Sequence, residues 1–323
     1  MRRPRPSLRG LVATTLAAPW IAWAVVRTLG LDAGHPLVGA MTVTPYVVAS
    51  APLPILAALA LRTWIVGAMA LVSALLLAAS VLPRALDGPQ LAQGAQGRAL
   101  VVMSSNMQIG DADADAIARL VREHRVDVLS LQELTPEAVA RLDAAGIRRL
   151  LPARVLQARA IASGSGLMAR RGLRRIGGDD PARHAQPEAA FALARGGALR
   201  IKVVHPVPPI SGPGTAAWRR ELRGLPGPST GRVPRLLVGD FNATLDHREL
   251  RRLLKRGFYD AADATGDGLS TTWPVGGSLP MITIDHVLVP RAVRVRRVRV
   301  YEVPGSDHRA IIAELVLTPA GAT

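Results

Sequence analysis

The hydrophobic pattern of this chain changes character near residue 84. Before it, apolar positions run on with no period: residues 10–26, 37–61 and 63–82 contain no charged side chain. Runs of about 17–25 apolar residues match the length of a bilayer-crossing helix, so three transmembrane helices are expected. Pro19, Pro45, Pro52 and Pro54 fall within them, and membrane helices tolerate proline better than soluble ones do. After residue 98 short apolar runs alternate with amphipathic stretches. Residues 99–103 and 126–131 read as buried strands, and 114–124 as a helix with Ile117, Leu120 and Val121 on one face. Thr135-Pro136-Glu137 is an N-cap followed by a first-turn proline, and Gly146 closes that helix. Further strands are expected at 166–169, 190–194, 198–204, 235–238, 281–289, 293–303 and 310–317, with helices at 216–222 and 246–255. Strands that follow one another directly point to an α/β fold with mixed sheets.

Residues 83–98, rich in Gly, Gln, Pro and Ala, read as a flexible linker spanning roughly 20–25 Å. The expected organisation is a membrane anchor at 1–82, a linker at 83–98, a catalytic domain at 99–318 and a tail at 319–323. Arg2, Arg3, Arg5 and Arg9 precede the first apolar run, and Arg62 stands between the second and third. The positive-inside rule then places the N-terminus in the cytoplasm. Three crossings would make this a multi-pass cell-membrane protein with an extracytoplasmic catalytic domain. An Arg-led apolar start also suits a secretory signal, but two further apolar runs follow and no small-residue cleavage site intervenes. The net charge of +16 would attract phosphate-bearing polymers and anionic lipid. Only Lys202 and Lys255 are lysines, so an Arg-biased composition accounts for the charge equally well. With no cysteine, neither disulfides nor a thiolate metal site is available.

Five motifs carry the candidate chemistry: Ser-Ser-Asn106, Leu-Gln132-Glu133, Gly239-Asp240-Phe241-Asn242-Ala243-Thr244, Ile-Asp285-His286 and Ser306-Asp307-His308. Each follows a run read as a strand, the last two following 281–284 and 298–303. Carboxylates, amides and a histidine thus collect at strand ends, where α/β scaffolds place chemistry. Hard oxygen donors of this kind suit a divalent cation held against a phosphate. His205, after the strand at 198–204, joins them. Taken singly, each has a plainer reading: a helix-capping Glu133, a turn-forming Asn106, an Asx-turn at Asp240-x-Asn242.

In combination the motifs resemble the endonuclease/exonuclease/phosphatase superfamily of DNase I-like phosphoesterases, over roughly residues 99–317. The resemblance implies a four-layer α/β sandwich, two mixed β-sheets flanked by helices, and hydrolysis of a phosphoric ester. It implies Mg²⁺, with Mn²⁺ as substitute, held by Asn106, Glu133 and Asp307. Asp240 would orient water or handle a proton, Asn242 and His205 would meet the phosphoryl oxygens, and Asp285 would hold His308 as base or cation. His286 reads as structural. The expected activity is phosphodiester cleavage, with nucleic acid the favoured substrate. A lipid head-group phosphodiesterase and a catalytically silent membrane-anchored binding module are the alternatives.

The chain departs from the family pattern in two places. No aromatic residue lies in 151–160, where a Tyr is usual and where Arg154 or Arg159 would have to substitute. No acidic partner for His205 is obvious either, Glu188 being only a candidate. Trp273, in Thr271-Thr272-Trp273-Pro274, reads as a base-stacking platform or a core residue. Asp111, Asp113 and Asp115 mimic a calcium loop, but Ala116 and Arg122 occupy positions that need Gly and Glu, so an acidic helix start is the better reading. Arg294, Arg296, Arg297 and Arg299 suit either a phosphate backbone or the charged side of an edge strand, and the second is the preferred reading.

Overall fold

The computed structural model describes residues 7–88, 99–177, 184–193, 197–231, 233–277 and 280–317. Arg2, Arg3 and Arg5, the expected tail, and residues 89–98 of the expected linker lie outside the described residues. The chain forms two compact units, Met1–Pro83 with Asp246–Arg248, and Arg84–Leu245 with Glu249–Thr323.

The first unit is helical: α1 (Leu8–Leu29), α2 (Leu37–Met41), α3 (Thr44–Ser50), α4 (Pro52–Ala60) and α5 (Trp64–Val81). Ser7 caps α1 by accepting from Gly10 N–H, and Gly30 ends it in the left-handed region at φ 65°, a conformation open to glycine. Three transmembrane helices were expected, and among the described residues two are long and apolar enough to cross, Leu8–Leu29 and Trp64–Ala85. The stretch 37–61 is divided instead. Pro45 and Pro52 lie in the first turns of α3 and α4, where a residue without an N–H begins a helix but cannot continue one. The Trp20 indole N–H donates to Val47 O and Ser50 Oγ, and that of Trp23 to Thr44 Oγ1. Ala13, Ala17, Ala24, Ala58, Ala70 and Ser73 are buried between helices, the small residues that let backbones approach.

The second unit begins with β1 (Leu100–Asn106), α6 (Ala114–Glu123), β2 (Val128–Gln132), α7 (Pro136–Ala144), α8 (Ile147–Leu150), β3 (Ala153–Gln157), β4 (Ser165–Ala169) and β5 (Leu173–Gly177). It continues with β6 (Glu188–Ala192), β7 (Ala198–Val204), α9 (Gly212–Gly224), β8 (Ser229–Thr230), β9 (Val233–Asp240), α10 (Arg248–Lys255) and β10 (Phe258–Asp260). It closes with β11 (Asp285–Pro290), β12 (Val293–Glu302) and β13 (Arg309–Leu317). One sheet runs β12-β13-β1-β2-β4-β3; the other runs β10-β11-β9-β7-β6-β5, with β8 on β9. β1–β2 and β7–β9 pair in parallel and the remaining neighbours antiparallel, so both sheets are mixed, as expected. Inner faces meet through residues such as Leu100, Val102, Leu167, Ile201, Val203, Leu236 and Val238. The outer face of the first sheet packs on α6, α7 and α8 through Met103, Leu129, Leu131, Ile117, Val121 and Leu142. Asp113 caps α6, which agrees with an acidic helix start. β12 lies at a sheet edge, which agrees with the reading of its arginines.

Two expectations about local structure change. The Asp285 and Asp307-His308 motifs do not end strands: Asp285 opens β11, and Asp307-His308 stands just before β13. Both strands run antiparallel to a neighbour whose C-terminal end carries the other motifs. In register Asp285 faces Asp240, and β13 pairs with β1. Strand starts and strand ends therefore meet at one end of the sandwich. The first residues of the expected linker are also ordered. Gly88 N donates to Ala264 O and Gly268 N to Arg84 O, Asp87 bridges Thr265, and Arg84 is buried. Residues 84–88 are thus a strap on the turn that follows β10.

Candidate active site

The backbone at this end is bent where the polar residues stand. Gln108, Ile109, Glu133 and Asn242 take positive φ (45°, 54°, 54° and 48°), a region that costs a non-glycine residue energy and persists where the surroundings impose it. The turn after β1 brings Ile109 N–H to Glu133 Oε2 at 2.8 Å and Gln108 N–H to Asn106 Oδ1 at 2.9 Å. Leu134 N–H donates to Gly164 O, fixing the backbone that follows Glu133. Asn242 N–H donates to Asp240 Oδ1 at 2.8 Å, an Asx-turn that serves the site. Gly239 of β9 pairs with Val204 of β7, and a Cβ there would lie 2.1 Å from Val204 O and 3.1 Å from Gln132 Nε2.

Around this frame the side chains converge. Asn106 Nδ2 donates to Glu133 Oε1 and to Asp240 Oδ2, both at 3.2 Å. His205 Nε2 lies 3.8 Å from each of the same two oxygens. His308 Nδ1 meets Asp285 Oδ2 at 2.9 Å, while its Nε2 lies 3.9 Å from Asp240 Oδ2 and 3.9 Å from Asp307 Oδ1. Asn242 stands beside Asp240, with its Nδ2 donating to Pro206 O at 3.0 Å. All eight residues singled out in the sequence are thus brought to one end of the sandwich. Asp307 is the most solvent-accessible of these carboxylates, its side chain 40% exposed.

Burial alone would lower the His308 pKa, but the charge and hydrogen bond of Asp285, with Asp240 and Asp307 behind them, raise it to about 10. Asp240 is pushed up by its own burial, then pulled down by His308 and up again by the like charge of Asp285, with a net rise. His205 is held well below the ordinary imidazole range by burial and by His184 and His308. The site therefore pairs a charged histidine with a neutral one.

The donor set fits a divalent cation. Oxygens of Asp240 and Asp285 lie within 4.8 Å of each other, and Asp285 Oδ1 is buried with no hydrogen-bond partner; His308 stands in the same group, but as a charged ring it offers no lone pair to a metal. The charged His308 offsets part of the repulsion between these carboxylates, and the unpartnered Asp285 Oδ1 is the oxygen left for a cation. The expected ligands Asn106, Glu133 and Asp307 stand at the same end of the sandwich. Asn106 turns its NH₂ toward both carboxylates and its oxygen toward Gln108. Asp307 Oδ2 accepts from Trp273 Nε1 at 2.9 Å.

Several features escaped sequence reasoning. Thr272 Oγ1 accepts from Ile284 N at 3.0 Å and Asp285 N at 3.1 Å, so the Thr-Thr-Trp segment supports both acidic neighbours of His308. The His184 ring lies against His205, centroids 4.5 Å apart; nothing in its local sequence marked it. His286, as expected, is structural: buried, it meets Asp260 Oδ2 at 2.9 Å and Ala243 O at 2.8 Å. Two acceptors require two N–H donors, which makes it an imidazolium. Glu188 is not the partner of His205, because Arg200 at 2.7 Å and Arg235 at 2.8 Å hold it. Arg154 pairs with Asp143 and does not replace the missing Tyr.

Two mixed sheets packed face to face, with a carboxylate, amide and histidine cluster where strand ends meet strand starts, define a phosphoric ester hydrolase. Residues 103–308 match the Endonuclease/Exonuclease/phosphatase family, and the chain belongs to it. No curated protein sequence matches. Among solved structures the fold is similar to an AP endonuclease from Archaeoglobus fulgidus (TM-score 0.54, 14% identity, covering 68% of this chain and 99% of that one). It is also similar to an endonuclease/exonuclease/phosphatase from Beutenbergia cavernae DSM 12333 (TM-score 0.51, 18% identity, 69% and 73%). A third similar structure is D. rerio TDP2 complexed with a single-strand DNA product (TM-score 0.50, 16% identity, 67% and 98%).

Proposed function

We propose that the chain is a membrane-anchored, divalent-metal-dependent phosphodiesterase. The observation that carries this reading is His308, oriented by Asp285 at 2.9 Å and facing Asp240 at 3.9 Å, in a cluster whose carboxylates call for a cation. Glu133 and Asp285 would hold Mg²⁺, or Mn²⁺ in its place, with Asn106 and Asp307 at the margin. When bound, the ion supplies Lewis-acid stabilisation of phosphoryl oxygens.

The chain's own residues divide the remaining work. Asp240, with its pKa raised, takes a proton from the attacking water. His308, an imidazolium fixed by Asp285, stabilises the developing charge and donates to the leaving oxygen. Neutral His205 and the Asn242 amide offer N–H groups to the non-bridging oxygens. Replacing Glu133 by Gln removes a charge and no packing. Turnover of a soluble phosphodiester should fall by orders of magnitude at an unchanged melting temperature; near-parental turnover at saturating Mg²⁺ would remove Glu133 from the ligand set.

Nucleic acid as substrate is supported by the family and by neighbours described as an AP endonuclease and as a DNA-product complex. A lipid head group is the second reading, favoured by the two helices apolar enough to cross a membrane. With two crossings the N-terminal arginines would leave the catalytic unit on the cytoplasmic side, the reverse of the three-span expectation. A C-terminal phosphatase reporter active only outside the cell would refute that placement.

A further inference from the structure

In the catalytic unit the exposed large hydrophobic side chains, among the described residues, are Leu86, Ile109, Ile161, Ile210 and Leu269, at 67%, 50%, 69%, 79% and 37% exposure. All five stand at the site end of the sandwich. Ile109 is in the turn that follows β1 and binds Glu133. Ile161 is in the β3–β4 connection, whose flanking residue Ser165 pairs with Gln132. Ile210 follows His205, on the segment whose Pro206 O receives Asn242. Leu269 lies between β10 and β11, just before Thr272. Leu86 is on the strap, bound to the turn at Ala264 and Gly268. The opposite end, where β4 turns into β5 and β11 into β12, exposes Arg125, Arg171 and Arg291 instead.

An apolar rim around a hydrolytic site marks a partner surface. These side chains are aliphatic, whereas sequence-tolerant nucleic-acid grooves rely on aromatic platforms. Aliphatic side chains enter the boundary between head groups and acyl chains. The occupant is indicated by where the chain enters the unit. The strap carrying Leu86 begins at Arg84, and the apolar helix α5 before it runs from Trp64 to Val81. With that helix crossing a membrane, as proposed above, a lipid surface would lie within a few residues of the rim along the chain.

We infer that the site end of the catalytic unit seats on a lipid surface through Leu86, Ile161, Ile210 and Leu269, and that the phosphodiester it cleaves is a phospholipid head group presented there. This rests on the phosphodiesterase reading above and narrows its substrate. Nucleic acid is the competing occupant.

The cysteine-free chain permits single-site labelling. The full-length protein carrying Ile161→Cys or Ile210→Cys, and Arg171→Cys as control, is labelled with an environment-sensitive fluorophore and placed in nanodiscs of phosphatidylcholine and phosphatidylglycerol. Labels at 161 and 210 should shift to the blue and be quenched by doxyl lipids, while the label at 171 should not; water-like emission at all three positions would overturn the docking. The double variant Ile161→Asp, Ile210→Asp should hydrolyse nanodisc phospholipid about tenfold or more slowly and leave bis(p-nitrophenyl) phosphate hydrolysis unchanged. Loss of single-stranded DNA cleavage with phospholipid cleavage intact would assign the rim to nucleic acid and overturn the inference. If the unsubstituted chain cleaves no soluble diester, the phosphodiesterase reading fails, a result separable from the label readout.

Discussion

The two units solve packing in opposite ways. In the sandwich, Leu, Ile, Val and Phe fill the interior, and few large apolar side chains reach solvent. In the helical unit, alanines and Ser73 fill many of the interhelical positions, while Leu11, Leu16, Leu53, Leu56, Trp64, Ile65, Leu71, Val72 and Leu75 point outward at 47–79% exposure. Water drives apolar side chains inward; hydrocarbon exerts no such force between helices, and close backbone approach takes over. The contrast teaches that the same residue type carries stability in one unit and solvent compatibility in the other, and it is the physical support for the proposed anchor.

The comparison is broken most severely at the site, where chemistry rather than packing is removed. His308→Ala and Asp285→Asn should each slow single-turnover hydrolysis by orders of magnitude, measured below the melting transition of each variant because the pair is buried. The double variant should be little worse than the worse single, as for residues acting as a unit; multiplicative losses would show that the two act independently. Packing comes next. Leu237→Ala, fully buried in β9, should destabilise the sandwich by about 2–5 kcal/mol, whereas Leu75→Ala, 59% exposed in α5, should leave the thermal transition in detergent unmoved. Equal losses would mean that both units are packed for water. Ala17→Leu, at a fully buried position in α1, should cost about 1–3 kcal/mol by overpacking, read as a lower unfolding temperature of the helical unit.

The smallest effect concerns pH. Burial would raise the Glu188 pKa, but its bonds to Arg235 and Arg200 outweigh that and lower it below 4.5. A depressed carboxylate contributes stability that is full above its unfolded pKa and is lost as pH falls through the folded one. Stability should therefore decline below about pH 4.5, and Glu188→Gln should flatten that decline in urea melts; an unchanged acid limb would remove the pair from the account.

Much of the site was legible because its chemistry is local. An Asp two residues before an Asn after an apolar run, or an Asp beside a His, needs no tertiary knowledge to stand out. What the pattern could not supply was pairing direction. Residues 281–284 are apolar enough for a strand, yet the ladder begins only at Asp285, because a period of two says nothing about which neighbour supplies the partner. Glu188 looked available to His205 for the same reason; Arg200 and Arg235 reach it from β7 and β9, separations of 12 and 47 residues. The unbroken apolarity of 37–61 hid its prolines' effect, since hydropathy measures transfer and not backbone continuity. The supports supplied by Thr272 and Trp273 are visible only once the loop is folded over the start of β11.

Gly239 illustrates how a site can be guarded by a residue with no chemistry. With Val204 O only 2.1 Å from where its Cβ would stand, any side chain would push β9 away from β7 and shift Asp240 with it. A saturation-mutagenesis screen scored on hydrolysis would rank this glycine alongside Glu133 and His308. The same library scored on expression or on antibody binding to folded protein should pull them apart, with Gly239 variants scarce in both readouts and Glu133→Gln abundant but silent. Genetic intolerance at this position is thus a report on the distance between two strands, and any map of essential residues drawn from activity alone would misfile it as a catalyst.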